Sequence, residues 1–240
     1  NYFDEMGLWD LGVIITNSAG FANISISEHI LHFMLMFARK SLLCFANKQN
    51  KKWERIPLVE LHGQTLGVLG LGNIGRETAR LAKAFGMQVL AMKRSPVGQG
   101  YVDSYVDKFY PREYLHEMLA ECDFVALTLP LTAETENIIG ESELKAMKST
   151  AFLINIARGG LIDESVLITA LKEGWIAGAG LDVFVKEPLP VESELWELPN
   201  TIITCHNSSV TGTGDIRMTE IFCDNLRKYL SGKPMNNICL

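Results

Sequence analysis

Paired cysteine is the first thing this chain lacks. Its five cysteines, Cys44, Cys122, Cys205, Cys223 and Cys239, are odd in number and widely spaced, and no C-x-x-C occurs. Neither a disulfide framework nor a thiolate metal site fits that pattern, so no metal is expected. Basic tracts are missing as well. The formal net charge is −6, and no aromatic-basic interleaving suggests nucleic acid. Long hydrophobic runs are absent: the longest, over 30–37, contains His32 and closes at Arg39 and Lys40, too short to span a bilayer. No secretory leader, internal repeat or low-complexity tract is visible. These absences lead us to expect a cytoplasmic chain with no nucleic-acid or membrane partner. An initiator Met is also missing, and the chain opens inside what reads as a helix-loop-strand unit. The expectation is a fragment truncated at its N-terminus.

What is present is a large apolar fraction, 48% of 240 residues. That is enough for one large domain or two small ones. The start reads as a helix end (4–9), a short strand (13–16) and a turn (17–20). A long helix follows over about 25–47, with apolar residues at Ile26, Ile30, Phe33, Met34, Phe37 and Ala38, a helical spacing. Residues 48–55 read as a polar, solvated connector. From Gln64 onward strand and helix patterns alternate. Strands are predicted over 65–69, 88–92, 124–128, 151–155, 177–181 and 201–204. Helices are predicted over 73–85, 112–121, 141–147, 164–172 and 213–230. Such alternation implies right-handed crossovers and a doubly wound, mostly parallel α/β sheet.

The most specific stretch is Thr65-Leu-Gly-Val-Leu-Gly-Leu-Gly-Asn-Ile-Gly75. An apolar strand runs into Gly70, Gly72 and Gly75, and a helix follows. Glycines there let backbone N–H groups approach a pyrophosphate at a helix N-terminus. A lone G-x-G-x-x-G is weak, but strand before, helix after and a second strand beyond favour dinucleotide binding.

In such sheets ligands bind beyond the carboxyl ends of the strands. The residues just past the strand candidates include Lys93, Arg94, Pro130, Ala157, Arg158, Gly159, Asp182, Glu187 and His206. All would gather on one edge, around one crevice. Arg158 precedes two glycines and offers a fork for a carboxylate, although alone it reads sooner as a surface ion pair. His206 is placed to exchange a proton with a carbonyl or hydroxyl, or to be structural. Glu187 would orient a neighbouring imidazole, or be an ordinary loop acid.

Five blocks occur together: Gly67-Val-Leu-Gly-Leu-Gly-Asn-Ile-Gly75, Leu127-Thr-Leu-Pro-Leu-Thr132, Leu153-Ile-Asn-Ile-Ala-Arg-Gly-Gly-Leu-Ile-Asp163, Gly180-Leu-Asp-Val-Phe184 with Glu187-Pro188, and Leu198-Pro-Asn200 leading to His206. In this order the chain resembles the D-isomer-specific 2-hydroxyacid dehydrogenases from about residue 17 to its end. The resemblance implies a Rossmann-type dinucleotide-binding domain over 21–207. It also implies a remnant of a flavodoxin-like substrate domain over 1–20, and a C-terminal helix over 208–240 returning to that domain. Arg158, Glu187 and His206 would be catalytic. Cofactor contacts would come from Gly70, Gly72, Asn73, Ile74, Gly75, Pro130, Ile156, Ala157, Arg158, Asp182 (against the nicotinamide carboxamide), His206 and Ser209. The long 25–47 helix resembles the family's dimerisation element, so a homodimer is expected.

Four departures from the family pattern matter. Most of the substrate domain is missing. NAD-using members carry an acid at the end of the second strand, where this chain has Lys93 and Arg94; a cationic pair attracts a 2′-phosphate, so NADP is preferred over NAD. The usual Pro before the histidine is Cys205, read as a small buried residue. The small residue three places after it is Ser209. The expected reaction is hydride transfer between NAD(P)H and a small 2-oxo acid, of the glyoxylate or hydroxypyruvate type, giving a D-2-hydroxy acid. A phosphoglycerate-type dehydrogenase, a non-catalytic dinucleotide-binding regulator and a purely structural domain are the alternatives.

Overall fold

The computed structural model describes residues 12–93 and 102–239. Two helices come first, α1 (Asn23–Ala38) and α2 (Ser41–Gln49). Strands and helices then alternate: β1 (Thr65–Leu69), α3 (Asn73–Ala84), β2 (Gln88–Met92), β3 (Lys108–Tyr110), α4 (Leu115–Glu121), β4 (Phe124–Leu127), α5 (Glu141–Ala146), β5 (Phe152–Asn155), α6 (Glu164–Glu173), β6 (Gly178–Leu181) and β7 (Thr201–Ile203). The last helix is α7 (Gly212–Leu230). The seven strands form one parallel sheet in the order β3-β2-β1-β4-β5-β6-β7.

Strands β4 and β6 are buried throughout and β1 from Leu66 on, as in a sheet covered on both faces. Side chains alternate along them, so each face feeds its own apolar layer. On one face Leu66, Val68, Ala126 and Ile154 pack with Ile30, Phe33 and Met34 of α1 and with Ala79 and Ala82 of α3. On the other, Leu69, Val125, Leu127 and Leu153 pack with Met118 and Leu119 of α4, Leu144 of α5 and Leu167 of α6. Helix α6 shows how local chemistry sets its ends. Asp163 caps its N-terminus by accepting from the Ser165 and Val166 N–H groups, and Gly174 leaves it at φ 72°. Strand β6 reads Gly-Ala-Gly-Leu for a packing reason. A Cβ on Gly180 would fall 2.8 Å from Phe33 Cγ, so glycine lets α1 lie directly on the strand.

Three expectations need correction. The long helix is two helices, bent by 60° at Arg39–Lys40. Lys40 adopts a left-handed φ of 49°, which ends the first helix although the apolar pattern runs on. A seventh strand, β3, joins the sheet edge; three residues of mixed polarity leave no periodic signal. The 13–16 segment makes only an isolated antiparallel bridge, Thr16 to Ile238. The helix end expected over 4–9 lies outside the described residues. Among the described residues, no single helix is long and apolar enough to cross a membrane.

The chain divides into two compact units, Asn1–Ala22 with Val210–Leu240, and Asn23–Ser209. In the first, the chain ends are tied by Asn17 N–H to Asn237 O (2.9 Å) and Cys239 N–H to Ile15 O (2.8 Å). The second carries the sheet and every candidate site residue.

Candidate active site

Strand register places the site. Leu69 lies opposite Met92 on one side and Leu127 on the other. The row continues through Asn155, Leu181 and Ile203. The next residue of each strand therefore leaves the sheet along one edge: Gly70, Lys93, Thr128, Ile156, Asp182 and Thr204. The strand order reverses direction between β1 and β4, which opens the crevice where such sheets bind ligands.

At the β1 end the backbone itself is shaped. Gly70 sits at φ 100°, and a Cβ there would meet Leu129 at 2.8 Å. A Cβ on Gly75 would fall 2.1 Å from the Gly70 carbonyl oxygen, so this glycine lets α3 start hard against β1. Thr128 locks the turn by donating to Gly70 O at 2.5 Å. Gly72 differs: a Cβ there would meet nothing within 4 Å, and no side chain caps α3. Open space before an uncapped helix N-terminus, with the Asn73 and Ile74 backbone just inside, fits a pyrophosphate.

Lys93 follows β2 directly and is half-buried. Near it lies a carboxylate that the sequence did not flag. Asp103 is buried and receives Arg76 Nε at 2.8 Å, while the Arg76 guanidinium lies over the Tyr105 ring. Burial pushes the Asp103 carboxyl up, but Arg76, the Tyr105 N–H and the Lys93 charge outweigh it and hold its pKa below the ordinary value. Arg94 lies outside the described residues.

Beyond β5, Asn155 shapes the Arg158 loop. Its amide donates to Arg158 O (2.8 Å), and its carbonyl accepts from Ala157 N–H (3.1 Å). Arg158 is exposed. Gly159 is required by close approach, since a Cβ there would fall 1.9 Å from the Phe184 carbonyl carbon. The Arg158 loop is thereby pressed onto the loop that carries Glu187. Ile156 is buried and Ala157 half-buried beside it, Pro130 is exposed past β4, and Ser209 is half-buried past His206.

Glu187 Oε1 accepts the Phe184 N–H at 3.0 Å, and Oε2 lies 2.7 Å from His206 Nδ1. An ionised carboxylate only accepts, so Nδ1 carries the hydrogen and Nε2 is left for other chemistry. Burial pushes the Glu187 carboxyl up; the bond from His206, the Phe184 N–H and the His206 and Arg158 charges outweigh it and lower the pKa. Both side chains are reachable, with 45% of His206 and 36% of Glu187 exposed.

His206 has φ 50°, a left-handed conformation that costs a non-glycine residue about 1 kcal/mol or more. Asp182 offsets that cost. Its carbonyl accepts the His206 N–H (2.8 Å), and its carboxylate accepts the Asn207 N–H on Oδ1 and the Ser208 N–H on Oδ2, both at 3.0 Å. Thr204 also donates to Oδ1 at 2.5 Å. The Asp182 side chain has no exposed surface. Cys205, expected to be buried, is exposed. Strand β7 ends at Ile203, and Cys205 stands beyond it on the wall of a cavity of about 430 Å³ that Glu187, His206 and Trp196 also line.

Comparison with known proteins places the chain in a family. Residues 31–208 match the family model described as D-isomer specific 2-hydroxyacid dehydrogenase, NAD binding domain. The chain belongs to the D-isomer-specific 2-hydroxyacid dehydrogenases. It is an NAD(P)-dependent oxidoreductase. This dehydrogenase is 37% identical to a glyoxylate reductase of Aeropyrum pernix, over 95% of this chain and 70% of that protein. An NADPH-dependent glyoxylate/hydroxypyruvate reductase from Sinorhizobium meliloti, solved with NADP and sulfate, superposes with a TM-score of 0.84 at 26% identity, covering 95% of this chain and 72% of that one. The NAD-complexed D-isomer specific 2-hydroxyacid dehydrogenase of Lactobacillus delbrueckii ssp. bulgaricus gives 0.80 at 28% identity, with the same coverage. In this dehydrogenase the sequence had pointed to the glycine turn, Arg158, Glu187 and His206. It had not pointed to Asn155, Thr204 or Asp103. Asn155 left a trace, a polar residue inside an apolar strand pattern; Asp103 left none.

Proposed function

We propose that the protein reduces glyoxylate- or hydroxypyruvate-type 2-oxo acids to D-2-hydroxy acids, preferring NADPH. The observation that carries this reading is the Glu187–His206 pair at 2.7 Å, on the same sheet edge as the glycine turn and beside the Arg158 loop. Bound NADPH supplies the hydride. Arg158 holds the substrate carboxylate through parallel hydrogen bonds and polarises the carbonyl. His206 gives the proton on Nε2 to the substrate oxygen as the alkoxide forms, and Glu187 keeps the ring oriented for that transfer. In the oxidative direction His206 is the base. The Gly70–Gly75 turn, with Asn73 and Ile74, would hold the pyrophosphate. Pro130, Ile156, Ala157 and Ser209 would line the nicotinamide half; Asp182, expected against the carboxamide, is fully buried and taken up by Thr204, Asn207 and Ser208, so it would act on the His206 loop instead.

The NADPH preference rests on Lys93, which stands where an acid would otherwise repel a 2′-phosphate. A homodimer is supported by α2 and the connector after it, which expose Leu42, Leu43, Phe45 and 99% of Trp53. Light scattering of the purified protein tests the dimer. The activity is tested by a panel of 2-oxo acids, following NADPH absorbance. Glyoxylate and hydroxypyruvate should head the panel. A protein that binds NADPH tightly and turns over no 2-oxo acid would be a regulator instead.

A further inference from the structure

Helix α1 brings a histidine to the back of the site. Gly180 lets Phe33 lie on β6, and one turn earlier on α1 His29 packs edge-on against Phe33 at 4.7 Å between ring centroids. From there His29 Nε2 reaches Thr204 Oγ1 at 3.0 Å. The direction of each bond follows from chemistry. The Asp182 carboxylate only accepts, so the Thr204 hydroxyl spends its one hydrogen on Oδ1. The Thr204 oxygen is then an acceptor toward His29, and His29 Nε2 must carry a hydrogen. A continuous chain results: His29 N–H to Thr204, Thr204 O–H to Asp182, and Asp182 to the N–H groups of Asn207 and Ser208 that directly follow His206.

We propose that His29 is a positioning residue for His206, acting through Thr204 and Asp182. Accepting a bond from His29 polarises the Thr204 hydroxyl and strengthens its donation to Asp182, as in linked hydrogen bonds generally. That fixes the carboxylate on the torsion at which its two oxygens meet the two amides. His206 is thereby held in its left-handed backbone with Nδ1 on Glu187. The work of this hydrogen-bond chain is to keep a strained residue in one place. Burial, which outweighs the nearby Asp182 charge and adds to the effect of His32, lowers the His29 pKa. A neutral ring with one N–H suits a single-donor link.

The proposal rests on His206 being the proton donor, so its test has one readout that needs no turnover. His29→Leu, His29→Gln and Thr204→Val are compared with the parent protein. Amide hydrogen exchange at Asn207 and Ser208 is measured together with NADPH affinity and kcat on glyoxylate. Losing one link of ordinary strength should speed exchange, and lower kcat, about three- to tenfold in His29→Leu and Thr204→Val. NADPH affinity should stay within about twofold. His29→Gln, whose Nε2 donates from nearly the same place, should restore both readouts. The double variant His29→Leu/Thr204→Val should be no worse than Thr204→Val alone, because both break one chain. Unchanged exchange and kcat in His29→Leu would overturn the proposal. So would a Gln variant as impaired as Leu, which would mean lost packing rather than a lost donor. If His29→Leu does not fold, Thr204→Val and His29→Gln still decide. The exchange pattern supports the chain even if glyoxylate is not reduced, and only the activity reading would then fall.

Discussion

At the β1 end of the crevice the ligand-facing groups are backbone amides framed by glycines. At the β6–β7 end they are side chains from three separate loops. Gly70 and Gly75 lie five chain positions apart, and their constraints are local: a φ of 100°, and a Cβ that would strike a carbonyl 2.1 Å away. Arg158, Glu187 and His206 come together only because β5, β6 and β7 are neighbours in register, and because Asn155, Gly159 and Asp182 each hold one loop. A site made of backbone is rigid by construction. One made of side chains is only as ordered as the hydrogen bonds behind it. The first end should therefore break through shape, and the second through loss of a single partner.

The largest effect expected from that contrast is at Asp182. Asp182→Asn removes the charge that accepts from Thr204, Asn207 and Ser208, and an amide cannot accept on both arms. Loss of charge-assisted bonds at a fully buried group should cost about 2–4 kcal/mol in denaturant unfolding. A cost under about 1 kcal/mol would mean the His206 loop holds itself. Next comes Gly75→Ala, where the added methyl must push α3 off β1. Overpacking of that kind costs about 1–3 kcal/mol of stability, and moving the α3 N-terminus away from the turn should also lower NADPH affinity by about tenfold or more in a fluorescence titration. Unchanged affinity would show that the turn does not hold the cofactor. Smaller again is Lys93→Asp, which should shift the NADPH-over-NADH ratio by about tenfold, or 1.4 kcal/mol, toward NADH.

The smallest effect concerns pH. His29 has a pKa lowered from 6.5 in the folded protein, so the unfolded chain binds more protons as pH falls through that value. Stability should therefore decline on going from pH 7 toward 5.5, and His29→Gln should flatten the slope. A parent slope no steeper than that of the Gln variant would show that His29 titrates normally.

The sequence made the backbone end legible because its signal is contiguous: an apolar strand, three glycines at fixed spacing, then a helix. It also located Arg158, Glu187 and His206, since each follows an apolar run and the resemblance supplied their company. It could not supply the struts. Thr204 reads as the last residue of a strand, and nothing in its neighbours says that its hydroxyl meets a carboxylate 22 positions earlier. Asp103 is an ordinary acid until the fold brings Arg76 to it from 27 positions away. The break at Lys40 was hidden for a different reason: a left-handed residue interrupts the helix without interrupting the apolar pattern. Cys205 was misjudged because strand length is set by pairing, and β7 stops two residues before it.

The separation of the two ends is tested most directly with His206→Ala, measured for NADPH affinity by titration and for glyoxylate reduction under saturating cofactor. The account predicts affinity within about twofold of the parent, since the turn is untouched, and turnover lower by roughly 10²–10⁴, the usual range for loss of a general acid. Near-normal turnover, or cofactor affinity lost together with activity, would contradict it.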